Sequence, residues 1–357
     1  MNDDTQLRAL LERCAKEAPD DYARLQIRQL PKAQRSIAYA EYGDPNGRPL
    51  LCLHGLSISG LCFEQYHDYF VALGVRAIAP SMLGGIYIAN ARKNIDDIAS
   101  EIIELLDELD VDTFDVVGFS WGTLPELALL ARVPGRIGRA GFLGAMTPVA
   151  FIGLQQIAQL KSDIRITLKM VKRMPLVHRT VMWLFCRLPG STFINQFKDD
   201  NLPVRELNAL APGSDFSKHF LRYLKECLRT GSQFFTDGWR MFLDKPTYAP
   251  HDLASHIDVR LYVAEKDNVH LLYFSELIAA ASTGTHVDEV CRAVAAARAN
   301  EAKQTVSAFD LVYAQESCGI WMIPGAGRIA CMLYFKEALT HLLKETPQAA
   351  ICGSRKA

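Results

Sequence analysis

Short apolar runs alternate with longer amphipathic stretches along most of this chain. Ser36–Tyr42 (SIAYAEY) is rich in β-formers and ends at the turn signal Gly43-Asp44-Pro45-Asn46-Gly47. Pro49–Leu53 (PLLCL) and Val75–Ala79 (VRAIA) are continuous apolar runs, as strands buried on both faces require, with a helical segment near Phe63–Val71 between them. Asn94 is placed to cap a helix whose Ile95, Ile98, Ala99, Ile102, Leu105, Leu106 and Leu109 recur at helical spacing. Phe114–Val117 reads as a buried strand, Leu124–Val133 as a helix and Ala140–Leu143 as the next strand. This alternation predicts an α/β protein with a parallel sheet covered by helices.

The rhythm changes between Thr147 and Pro246. That stretch has helical segments rich in aromatics and methionine and no buried strand, and it carries 15 Lys and Arg against 8 Asp and Glu. Alternation resumes with strands at Val259–Val263 and Ile320–Ile323. A long helical stretch including Val287, Val290, Cys291 and Val294 lies between them, and an amphipathic helix at Ile329–Leu343 follows. The first thirty or so residues read as helical turns, with Leu7, Leu10 and Leu11 on one face and a break at Pro19-Asp20-Asp21.

Charge narrows the function classes. Among 357 residues, 39 Lys and Arg stand against 40 Asp and Glu, so no basic excess points to nucleic acid. No run reaches the ~18 apolar residues of a spanning helix, and stable membrane insertion is not expected. Nine cysteines lie scattered without a C-x-x-C pair, which fits free thiols better than disulfides or zinc. The acidic start MNDDTQLRALLERC lacks an apolar leader core, and the expectation is a cytoplasmic protein with neither metal nor cofactor.

Two segments carry chemistry. Gly118-Phe119-Ser120-Trp121-Gly122 fits G-x-S-x-G between a predicted strand and helix. The glycines there permit a sharp turn that lifts a serine hydroxyl to the sheet's edge. His54-Gly55-Leu56 follows the strand PLLCL and suits a loop whose amide pairs with the one after the serine. The oxyanion donors would be the N–H groups of Leu56 and Trp121.

With AEYGDPNGRPLLCLHG, GFSWG and the late IPGAG together, the chain resembles the α/β-hydrolase-fold superfamily. The resemblance implies a mostly parallel sheet flanked by helices, with core segments 35–146 and 251–357. It also implies a helical cap, a role that 147–250 suits; the helical extension at the N-terminus is assigned 1–34. Pro80-Ser81-Met82-Leu83-Gly84-Gly85 departs from the acidic residue and G-x-G turn often found after that strand in similar proteins. The superfamily's serine–acid–histidine triad maps Ser120 as nucleophile and Asp267 as acid, with Glu265 as fallback.

The base departs from the pattern. Where a histidine is expected after the last strand, Pro324-Gly325-Ala326-Gly327 is followed by Arg328. Arginine stays protonated and has no acceptor lone pair, so it cannot take a serine proton. The expectation is therefore a degenerate triad, with Arg328 beside Asp267 at the histidine position. His270, three residues beyond Asp267, is the alternative base, while His54 reads as structural and His341 as facing away. His67, His178, His219, His251, His256 and His286 have no motif and read as surface or packing residues.

Two functions remain open. One is an enzyme acting through Ser120 on an ester, thioester or related acyl small molecule. The other is an impaired relative that binds a small carboxylate or acyl ligand, with Arg328 facing the pocket. In the cap, Met170–Leu188 reads as a lid helix over that pocket, with a membrane-surface role as a weaker reading. A homodimer is compatible with either function.

Overall fold

The apolar runs become the strands of one sheet in the computed structural model. It describes residues 3–86, 93–198, 202–249, 252–253, 257–299, 304–306, 309–315 and 318–344. In chain order the strands are β1 (Leu25–Leu30), β2 (Arg35–Gly43), β3 (Arg48–Leu53), β4 (Val75–Pro80) and β5 (Phe114–Phe119). They continue as β6 (Ile137–Leu143), β7 (Asp258–Ala264), β8 (Gln304–Val306), β9 (Phe309–Gln315) and β10 (Cys318–Ile323). The spatial order is β1-β2-β4-β3-β5-β6-β7-β10-β9-β8. From β4 to β10 every neighbouring pair is parallel, and β1–β2 and β8–β9 add antiparallel wings.

Burial explains why the central strands lack alternation. All six residues of β5 are buried, as are the last four of β3, because helices cover the sheet. The helix Thr123–Arg132 packs on β5 and β6, and the helix Phe335–Leu343 packs on β6. Asn94 caps the helix Ile95–Glu108 through a reciprocal box with Asp97, each bond 2.9 Å long.

Several expectations are corrected. Residues 25–30 form an edge strand and not the end of a helical extension; the extension's helices are Asp3–Glu17 and Pro19–Tyr22. Only the two end leucines of β1 are buried, so its pattern was weak. The stretch expected to be helical before β10 instead holds two helices, Leu272–Thr283 and Val287–Ala299, followed by β8 and β9. In β9 the sequence FDLVYAQ gains its identity by pairing with β10. The closing helix is interrupted at Tyr334, giving Ala330–Leu333 and Phe335–Leu343.

Between β6 and β7 the described residues contain helices and no strand. Residues 250–251, and with them His251, lie outside the described residues, as does His256. The insertion buries its own aromatics, among them Phe193, Phe220, Tyr223 and Phe235. Its helix Pro175–Phe185 turns Leu176, Val177, Trp183 and Leu184 outward, so most of its apolar surface does not pack on the pocket. No helix among the described residues is long and apolar enough to cross a membrane.

One carboxyl joins the insertion to the sheet. Glu226, on the helix Asp215–Cys227, accepts the Ile86 N–H at 3.2 Å. Gly85 is left-handed (φ +66°), and a Cβ there would lie 2.2 Å from Glu226 Oε1. Burial raises the Glu226 pKa to about 7 from 4.5. A raised acid pKa stabilises the fold below the unfolded value, and that contribution is lost as pH rises through the folded value. Wild-type protein should lose stability between about pH 4.5 and 7, by up to about 3 kcal/mol from this group. Glu226→Gln should flatten that part of the profile, which melting temperatures at pH 5 and pH 8 will show; an unchanged slope would assign it to another group.

Candidate active site

Because β3, β5, β6, β7 and β10 run parallel, the loops after them emerge at one edge of the sheet. Ser120 stands at the tip of β5 with φ +54°, a left-handed backbone in a residue that is not glycine. Such strain costs on the order of 1–3 kcal/mol and must be imposed by the surroundings. A Cβ on Gly122 would lie 2.4 Å from Leu53 O and 2.7 Å from His54 O, so the turn is pressed against the end of β3. Thr123 Oγ1 donates to Ser120 O at 2.6 Å and accepts the Met146 N–H at 2.8 Å. Beneath the turn, Glu126 is fully buried, and burial pushes its carboxyl well above the usual range.

His270 reaches this serine. Its Nε2 lies 2.8 Å from Ser120 Oγ, and its Nδ1 lies 2.6 Å from Asp267 Oδ2. The carboxylate beside Nδ1 places the ring proton there and leaves Nε2 as the acceptor for the serine hydroxyl. The other oxygen of Asp267 accepts the Val269 N–H at 2.8 Å and the His270 N–H at 3.0 Å. These bonds curl the chain so that a residue only three positions on faces back over the acid. Asp267 is deeply buried, and burial alone would raise its pKa. The facing His270 and the hydrogen bonds from His270 and Val269 more than offset this, holding it below the usual value. Gly144, after β6, makes room: a Cβ there would lie 3.0 Å from His270 Cγ.

The loop after β3 carries the remaining polar groups. Leu56 N–H donates to no protein group among the described residues. Leu56 and Trp121 line the same cavity as Ser120. His54 is buried, accepts the Met82 N–H at Nε2 (3.1 Å), and places Nδ1 2.9 Å from Gly55 O. Burial lowers its pKa to about 4, so it is a neutral packing residue that shapes the loop. The Trp121 indole N–H donates to Gly238 O at 2.9 Å, tying the serine turn to the insertion. His341, bonded to Tyr262 at 2.7 Å, does not line the cavity.

The expected pairing of Arg328 with Asp267 is corrected. No ion pair or hydrogen bond joins them among the described residues, because both oxygens of Asp267 are already used within its own loop. Arg328 does line the cavity with Ser120 and His270. Its guanidinium lies 4.3 Å from the centre of the Phe197 ring, and Nη1 is buried without a hydrogen-bond partner. Burial lowers its pKa, with the charges of Asp163 and Asp267 acting in the opposite direction. Glu265, the fallback acid, instead accepts the Gly325 N–H at 2.8 Å.

The cavity measures about 230 Å³ and is walled largely by aromatics from the insertion, among them Phe193, Phe197, Phe235 and Trp239. Three contributors escaped the sequence reading. Gly144 shows only as a glycine after a strand. His178, hydrogen-bonded to Thr236 at 2.8 Å, lines the cavity from a helix with no motif. Glu206 accepts the Gly327 N–H and so pins the loop that presents Arg328. No group of three or more His, Cys, Asp or Glu among the described residues could hold a metal ion.

No family model matches the chain. It is 34% identical over 108 residues to a probable proline iminopeptidase of Leptolyngbya boryana, covering 29% of this chain and 33% of that protein. It is 33% identical over 104 residues to 2-hydroxymuconate semialdehyde hydrolase of Pseudomonas sp. strain CF600, covering 28% and 37%. The matches thus span about a third of the length of these relatives. A solved carboxylesterase structure from Nitrososphaera gargenis superposes with a TM-score of 0.59 at 13% identity, covering 89% of this chain and 96% of that one. With the parallel sheet and the serine turn at its edge, that superposition identifies the chain as a protein of the α/β-hydrolase fold.

Proposed function

We propose that the protein is a serine hydrolase acting on an ester, thioester or related small acyl compound. Ser120 is its nucleophile, His270 its base and Asp267 its orienting acid. The observation that carries this reading is the unbroken line Asp267 Oδ2–His270–Ser120 Oγ, with contacts of 2.6 and 2.8 Å. As Ser120 Oγ attacks the acyl carbonyl, its proton passes to His270 Nε2, while Asp267 stabilises the imidazolium through Nδ1–H. The Leu56 and Trp121 amides bind the oxyanion. His270 then returns the proton to the leaving group, and water repeats the sequence to release the acid. The cavity of about 230 Å³ favours a small acyl group. A purely binding role drew its support from a serine without a base, which the contact with His270 replaces.

A fluorophosphonate probe should label Ser120 in the native protein, and Ser120→Ala should abolish the label. His270→Ala should slow both labelling and ester turnover by about 10³- to 10⁴-fold or more, with the fold retained. An unlabelled Ser120 would overturn the reading. Asp267→Asn should lower kcat by about 10⁴-fold, since an amide cannot hold the ring in the same tautomer. Arg328→His should create no second base, because Asp267 already orients His270 and makes no hydrogen bond with position 328. Stopped-flow or steady-state assays on p-nitrophenyl acetate measure each effect, and a gain in Arg328→His would return the base to that position.

A further inference from the structure

We infer that Arg328 is the receptor for a carboxylate carried by the substrate itself, so that the preferred substrate is an acyl compound with a second, anionic end. This rests on the reading of Ser120 as nucleophile and adds the class of molecule it attacks. A guanidinium remains charged at any physiological pH, and an unpaired charge among apolar groups is costly. Arg328 is partly in that state: Asp163 and Asp267 act on it by charge alone, without a hydrogen bond. One face lies on Phe197, and Nη1 is buried with no hydrogen-bond partner.

None of the neighbouring carboxylates supplies the missing anion. Asp267 divides its oxygens between His270 and two backbone amides. Glu206 Oε1 takes the Gly327 N–H, and its Oε2, buried without a hydrogen bond, forms no ion pair with Arg328. Asp163, on the cavity wall, is half-exposed and lies 3.8 Å from Lys161. No ion pair is formed by Arg328 among the described residues; Nη1 is closed off, and the Nε–Nη2 edge, which is not buried, is the side open to a ligand in the same cavity as Ser120. A carboxylate matches that fork with two parallel N–H···O bonds, an arrangement a lysine would not reproduce. Polarity within the cavity also sets direction. Ser120 and His270 receive the carbonyl and Arg328 the carboxylate, while the half-exposed Asp163, whose charge also acts on Arg328, offsets only part of that cation. The loop bearing Arg328 is fixed by Glu206, so the guanidinium is presented rather than left to search.

The test compares p-nitrophenyl hemiglutarate with p-nitrophenyl valerate, acyl chains of equal length that differ in the terminal carboxylate. In wild-type protein the kcat/KM ratio of the anionic to the neutral ester should exceed that in Arg328→Met by about 10- to 100-fold, the worth of a charge-assisted pair. Arg328→Lys should recover only part of it. Glutarate alone should raise the melting temperature of the wild type and not of Arg328→Met, a readout that needs no catalysis. If Ser120 proves inert while the glutarate shift still depends on Arg328, the carboxylate site stands and the hydrolase reading fails. If turnover proceeds with equal ratios in both proteins and glutarate acts equally on both, the Arg328 assignment is overturned and the hydrolase reading survives. A melting temperature lowered by Arg328→Met, with the glutarate shift unchanged, would make Arg328 a structural charge and likewise overturn it.

Discussion

The two oxygens of Asp267 do different work, and the site depends on that division. Oδ1 accepts two backbone amides and gives the loop after β7 its shape; Oδ2 holds the imidazole that the shape delivers. Each bond is charge-assisted, and the group sits where water does not compete. Removing the carboxylate therefore takes away both the orientation of His270 and the fold of the segment that carries it. In the proposed reading, acid and base come from one short loop, and the loop after β10 is released from supplying a base.

That release has physical consequences. The position after Gly327 no longer needs an imidazole, and an arginine stands there whose charge is at odds with the aromatic wall beside it. Such a residue does little for folding on its own, since a half-buried cation with no ion-pair partner costs stability. Its surroundings hold it in place all the same: Glu206 grips the preceding amide, and Phe197 supports the planar group from below.

The strained serine turn and the insertion stabilise one another. Ser120 keeps a left-handed backbone because Gly122 lies against the end of β3 and Thr123 locks the turn to Met146. From above, Gly238 approaches so closely that a Cβ there would sit 2.5 Å from Leu56 Cδ1, and its carbonyl takes the Trp121 indole proton. The helix Gln233–Leu243 is thus fastened to the serine turn and the loop opposite it. Motions of the insertion would be felt at Ser120 directly.

Much of the framework is legible in the sequence because it follows local rules. Continuous apolar runs such as PLLCL and FDVVGF require burial on both faces, Asn94 and Asp97 form a helix cap within four residues, and the glycines of GFSWG permit the turn that Ser120 adopts. β1 and β9 were less visible, since edge strands take their identity from the partner they pair with. The base was the hardest residue to read. A histidine three positions past an acid is ambiguous on paper, because whether it turns back depends on which carboxylate oxygen the backbone engages. Motif position pointed to 328, but only the packed chain shows Asp267 bonded to His270. The sequence by itself determined the central strands, the serine turn and the chemical types available, all set by short-range sterics and burial. The tertiary structure decided which of those groups meet, because hydrogen-bond geometry between distant loops is a property of their packing.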